Sequence, residues 1–236
     1  MNSACLLSLF GASACSTQAR LPAGPGGSDP RRELAGRVRA KPDLAVLFVG
    51  NSYSFGVPKA FEKVVAGHGK KVRTGHSTFG GWTLRQHSEN EATLRKIRDG
   101  RWDVVVIQEQ SEIPALPPGI RSETMFPPLR QLVLRVRKQG AVPILYQTWG
   151  RRDGDKKIPG DDFHAMTRRL REGYHAAAEN AGDLVVVPVG DAWEAEVSSG
   201  RGNPLFMADG SHPTPVANSL IAAVFYQVIY GQAEEN

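Results

Sequence analysis

From Asp43 onward, short continuous apolar runs alternate with longer amphipathic stretches. The runs at 44–49, 72–77, Val104–Ile107, Val142–Tyr146 and 184–187 have strand length and are rich in Val and Leu, and helix-length segments precede most of them. This is a βαβ rhythm. Near-continuous apolar runs suit strands covered on both faces, so the pattern predicts an α/β fold, a mainly parallel sheet sandwiched between helices. In such sheets ligands bind beyond the carboxyl ends of the strands, which directs attention to the polar residues just after each run. The last helix starts from Thr214 as N-cap and Pro215 as first helical residue. Its predicted apolar face is Val216, Leu220, Ala223, Val224 and Val228, up to Gly231.

The pattern changes before residue 42. Residues 4–14 are mostly apolar, of signal-peptide length and too short to span a bilayer, and Ala12-Ser13-Ala14 fits the small-residue pattern before a cleavage point. Cys15 then stands where a bacterial lipoprotein carries its lipid. Residues 1–15 are therefore expected to be a signal peptide or lipoprotein signal, making the chain periplasmic, secreted or lipid-anchored through Cys15. An ordinary disordered N-terminus is the competing reading. Residues 16–41, rich in Gly, Pro, Ser and Arg without apolar periodicity, are expected to be a flexible linker, and 42–236 the folded domain.

Composition narrows the chemistry. The chain has 236 residues, 41% hydrophobic and 22% charged, enough for one domain with a sizeable core. The net charge of +5 comes from scattered Lys and Arg, with no basic block or aromatic stripe, which argues against nucleic acid as a partner. Cys5 and Cys15 are the only cysteines, so the domain has no disulfide, thiolate nucleophile or cysteine-ligated metal.

Two short motifs carry the chemistry. Gly50-Asn51-Ser52 follows the first run, where a sharp turn can project a side chain into the crevice, and Asp209-Gly210-Ser211-His212-Pro213 precedes the last helix. Together they supply a nucleophile, a base and a carboxylate to orient the base, which a weakly nucleophilic serine requires. Each motif also suits a plain turn in which Asp or Ser bonds its own backbone. A phosphate-cradling loop over 50–56 lacks the required Gly-Lys-Ser/Thr ending and glycine spacing.

With these blocks the sequence resembles the SGNH (GDSL-like) hydrolase superfamily, over most of residues 43–230. The resemblance implies a three-layer α/β/α sandwich with a flavodoxin-like five-stranded sheet, and ester hydrolysis with no cofactor and no metal. It implies Ser52 as nucleophile, His212 as general base and Asp209 as its orienting residue, with Asn51 where the family usually has Asp. The oxyanion hole would comprise Ser52, Gly81 of Ser77-Thr78-Phe79-Gly80-Gly81-Trp82-Thr83 (Gly80 second) and an amide from Gln108-Glu109-Gln110-Ser111. Here the family usually has Asn. Gln110 falls at that position, with Gln108 as runner-up, and the change marks a divergent branch.

Other residues are candidates for lesser roles. Trp149, after the fourth run, and Gln108 are the candidate substrate-binding residues, Trp149 as a flat face for a sugar, with ordinary packing of that ring as the equal alternative. His76 and His87 bracket the glycine motif, so one of them can enter the pocket, although a lone histidine is more often a surface or structural residue. His164 and His175 lie about 16 Å apart along a helix, too far to share a metal. Residues 151–162 read as a charged surface excursion, because Asp153-Gly154-Asp155 lacks the other ligands of a calcium loop. The expected function is hydrolysis of small acyl esters, most simply acetyl groups, of a small molecule or a carbohydrate. A non-catalytic glycan-binding surface protein on the same fold is the alternative, and an acyltransferase would use the same residues.

Overall fold

The five apolar runs pair into one parallel sheet, β1 (Asp43–Gly50), β2 (Lys71–Thr78), β3 (Val104–Ile107), β4 (Val142–Tyr146) and β5 (Val185–Val187), in the order β2-β1-β3-β4-β5. The computed structural model describes residues 20–22, 29–41 and 43–231, so the readings placed on 1–15, Cys15 included, lie outside the described residues.

Side chains alternate across a strand, and here both sets are apolar because both faces are covered. Val46, Phe48, Val106 and Ile144 face a layer formed by α1 (Pro30–Arg39), α2 (Val57–Gly67), α8 (Val189–Ser198) and α9 (Pro215–Tyr226). Leu47, Val105, Ile107 and Leu145 face α3 (Leu84–Glu89), α4 (Glu91–Asp99), α6 (Phe126–Lys138) and α7 (Phe163–Asn180). A further helix, α5 (Pro118–Thr124), packs on α6 and α7. The result is the expected three-layer α/β/α sandwich. β2 is less buried than expected: it is the sheet edge, and only Ser77 in it is fully buried. The strand order reverses at β1, whose neighbours β2 and β3 lie on opposite sides. The crevice of a doubly wound sheet opens at this switch point, beyond Gly50.

Two expectations are corrected. The flexible-linker reading of 16–41 fails over its described part, because Pro30–Arg39 is a helix. Asp29 caps it by accepting from Arg31 N–H at 2.9 Å, Pro30 stands at its first turn, and Leu34, Ala35 and Val38 are buried, with Leu34 and Val38 in the core. Upstream, Leu21 N–H donates to Asn180 O at the end of α7. Three apolar positions at helical spacing sufficed, although arginines dominate the composition. The second correction concerns α9. Val216 is 60% exposed, and the buried face is Ala217, Ile221, Ala222, Phe225 and Tyr226, turned away from the expected set. This helix is apolar almost all round, so its pattern fixes its burial but not its phase, which contact with α2 decides.

Candidate active site

At the end of β1 the chain turns through Asn51 into one 3₁₀ turn, Ser52–Ser54, and then into α2. The turn is held from below. Buried Gln108 accepts from Asn51 N–H (2.9 Å) and Ser54 Oγ (3.0 Å) through Oε1, and donates through Nε2 to Asn51 Oδ1 (3.0 Å). Asn51 Oδ1 also accepts from Tyr53 N–H at 3.1 Å, while its Nδ2 reaches Trp82 O at 3.5 Å. An amide does both tasks, whereas a carboxylate would set an acceptor against the Trp82 carbonyl, a physical reason for Asn at this position. Residue 50 must be glycine because a Cβ there would collide with Gln108 Oε1.

His87 completes the support. It is fully buried, its Nε2 donates to Gly50 O at 2.9 Å, and Thr93 Oγ1 lies 3.2 Å from its Nδ1. Burial lowers its pKa, against the pull of the Gly50 bond, which favours neutral imidazole. His87 thus buttresses the Ser52 turn from behind, while His76 is exposed.

The Asp209 motif forms a closed loop. Phe206 bridges to Pro213, Met207 N–H donates to His212 O at 2.9 Å, and Gly210 takes φ +68°, a left-handed conformation that favours glycine. Two bonds dock the loop on the segment after β4: Trp149 Nε1–H to Ser211 O (3.1 Å) and Arg152 N–H to Gly210 O (2.8 Å). Within it, Asp209 Oδ1 accepts from the N–H groups of Ser211 (2.8 Å) and His212 (3.0 Å), and Oδ2 lies 2.5 Å from His212 Nδ1. Burial raises the Asp209 pKa somewhat, but the bonds from the His212 ring and the two N–H groups outweigh it and hold the carboxyl at about 2. With Nδ1–H donated to Asp209, Nε2 carries the lone pair, and it lies 2.9 Å from Ser52 Oγ. The structure therefore brings Ser52, His212 and Asp209 into one chain of hydrogen bonds.

Tyr53 walls this chain. Its ring lies edge-on to His212 at 5.4 Å, and its hydroxyl shares a hydrogen bond with Ser211 Oγ. Tyr53 also stacks on Trp149 at 4.8 Å, and Trp149 stacks on Trp193 at 3.7 Å. Trp149 is consequently 0% exposed, which corrects its reading as a substrate contact: the strand end located it, but Tyr53 covers it and its N–H is spent on Ser211. Gln108 is corrected in the same way, since it is buried and its amide is committed to Asn51 and to Glu109 O. It serves neither as a substrate contact nor as an oxyanion donor.

The remaining candidates lie on two neighbouring loops. Gly81 takes φ +72° in an exposed turn closed by Trp82 N–H to Phe79 O (3.2 Å), and the loop starts with Phe79 N–H on Gly50 O (3.2 Å). Gln110 Oε1 accepts from the N–H groups of Glu112 (2.7 Å) and Ile113 (3.3 Å), which fixes the side chain. Among the described residues, Ser52 N–H, Gly81 N–H and Gln110 Nε2 have no hydrogen-bond acceptor within the chain. Between the two glutamines sits Glu109, 0% exposed, whose carboxyl group is no amide donor and so carries no signal for an oxyanion hole in the sequence. Its Oε1 accepts from Leu84 N–H (2.9 Å) and Gln110 N–H (2.7 Å), and its Oε2 has no partner. Burial pushes its pKa up to about 7, against the two N–H bonds and the charge of Arg85. No group of three or more His, Cys, Asp or Glu side chains able to hold a metal occurs among the described residues.

No family model and no curated protein matches the chain. Among solved structures it is similar to a candidate SGNH hydrolase from Slackia heliotrinireducens, at 26% identity over 79% of this chain and 99% of that one, with a TM-score of 0.64. It is also similar to a lipase/acylhydrolase from Enterococcus faecalis (17% identity, 80% and 96% covered, TM-score 0.60). An acetyl xylan esterase, AlAXEase, is a third (13% identity, 79% and 100% covered, TM-score 0.58). The last two likenesses are of fold.

Proposed function

The chain belongs to the SGNH (GDSL-like) hydrolase superfamily, and on that premise we propose that it is a carboxylic ester hydrolase working through Ser52, His212 and Asp209. The observation that carries the reading is the unbroken run from Ser52 Oγ to His212 Nε2 (2.9 Å) and from His212 Nδ1 to Asp209 Oδ2 (2.5 Å). Ser52 Oγ attacks the ester carbonyl as its proton passes to His212 Nε2, and Asp209 stabilises the imidazolium. The N–H groups of Ser52 and Gly81 and the Gln110 amide receive the oxyanion. The C–O bond then breaks, and the alcohol leaves with the proton from His212. Water, deprotonated by the same imidazole, attacks the acyl-enzyme and releases the acid.

For substrate we propose small acyl esters, acetyl above all, on carbohydrate. The fold likeness to an acetyl xylan esterase supports this. So does Phe79, which is 38% exposed and stacks on Trp82 at 4.1 Å beside Gly80 and Gly81. This aromatic pair offers the flat face first sought at Trp149. The glycan-binding alternative leaves the hydrogen-bonded triad without a purpose. Hydrolysis of p-nitrophenyl acetate tests the proposal: Ser52→Ala and His212→Ala should each lower kcat roughly 10⁴-fold while the protein stays folded. Equal rates in wild type and both variants would refute it. Release of acetate from acetylated xylan, absent in Ser52→Ala, tests the substrate class.

A further inference from the structure

Among the described residues, Glu109 is the one buried carboxyl group beside the site that the mechanism leaves unused, and it joins two loops that the mechanism needs. Its Oε1 receives Leu84 N–H, at the start of α3 just after the Gly80-Gly81 turn, and Gln110 N–H, beyond β3. We propose that Glu109 is a positioning residue for the oxyanion hole, tying the Gly81 loop to the Gln110 loop through one carboxyl oxygen.

The inference rests on the esterase reading for its kinetic consequence, but the tie itself is independent of it. Around the tie, Thr83 caps α3 in a reciprocal box with Gln86, so Leu84 N–H is directed by the helix start rather than by a mobile loop. On the other side, Gln110 is held at its backbone by Glu109 and at its side chain by Glu112 and Ile113 N–H, which leaves its Nε2 as the free donor. A short buried acceptor shared by two loops sets their separation, and oxyanion donors act only within a few tenths of an ångström of the right place. The groups that bear on this carboxyl are the two N–H donors, Arg85 on α3 and Tyr174 on α7.

Two variants and two readouts test the tie. Glu109→Ala removes the shared acceptor, whereas Glu109→Gln keeps an oxygen for both N–H groups. Folded Glu109→Ala should lose roughly 10²-fold in kcat for p-nitrophenyl acetate with KM within about 3-fold, and Glu109→Gln should restore kcat to within about 3-fold of wild type. Amide exchange at Leu84 and Gln110 should be slow in wild type and in Glu109→Gln, and at least about 10-fold faster in Glu109→Ala. Unchanged kcat in folded Glu109→Ala, or a Glu109→Gln as impaired as the alanine variant, would overturn the proposal. Should wild type and Ser52→Ala prove equally inactive, the esterase reading fails, and exchange still decides: unchanged protection in Glu109→Ala overturns the tie, and lost protection supports it.

Discussion

One carboxylate, Asp209, closes its own turn and holds the His212 imidazole. Oδ1 takes the two backbone N–H groups and Oδ2 takes the imidazole, so the turn reading and the catalytic reading, rivals in the sequence, describe the same side chain. Asp209→Asn should keep the turn but present an NH₂ group to His212, favouring the wrong tautomer; kcat should fall by roughly 10⁴-fold while the protein stays folded. A loss below about 10-fold in kcat would contradict this role for Asp209. Glu109 gives a prediction in pH. A buried acid whose pKa rises from 4.5 to about 7 binds its proton more tightly in the folded state, so its contribution to stability is complete below pH 4.5 and is lost as pH rises through 7. Relative to Glu109→Gln, wild type should lose up to about 3 kcal/mol between pH 4.5 and 8 in urea unfolding. Taking the difference between the two proteins cancels His87, whose lowered pKa works in the opposite direction. The three residues of the proposed triad stand out in the sequence because strand ends and short motifs mark them. The depth of Trp149 and the commitment of Gln108 were not, because each depends on side chains far away in sequence, Tyr53 and Asn51.

At the scale of elements, the strands were the most legible part, and three of the five differ from the expected bounds by only one residue at one or both ends. Their signal is local: Val and Leu in short runs with helix-length spacers. Helix α1 escaped because only Leu34, Ala35 and Val38 mark it among polar neighbours. It seals the end of the core beside the π-helical turn at Gln227–Gly231. A chain trimmed to begin at Asp43 should be less stable by about 3 kcal/mol, from re-exposing two or three aliphatic side chains and the surface they cover. Equal urea midpoints for the trimmed and full chains would show that α1 adds nothing. The phase of α9 escaped for a different reason, since an almost uniformly apolar helix can present any face until its neighbour is known.

Across the whole molecule, the βαβ rhythm predicts the parallel sheet but not its strand order; the observed order places Ser52 at the switch point, while the site joins residues 160 positions apart. Short blocks so widely spaced leave little continuous similarity, which fits a chain that no family model matches although its fold finds clear structural relatives. Residues 1–15 carry the proposal that the chain is exported, by a signal peptide to the periplasm or medium or by a lipoprotein signal that anchors it through Cys15. Grown in bacteria with tritiated palmitate, the full chain should be labelled and Cys15→Ser should not; an unlabelled wild type would remove the anchor. The most direct test of the central claim is intact-protein and peptide mass spectrometry after treatment with a fluorophosphonate. The account predicts a single phosphonyl adduct on the peptide containing Ser52, absent in Ser52→Ala and formed far more slowly in His212→Ala. Folded wild type that takes up no adduct, or takes it up elsewhere, would contradict Ser52 as the nucleophile.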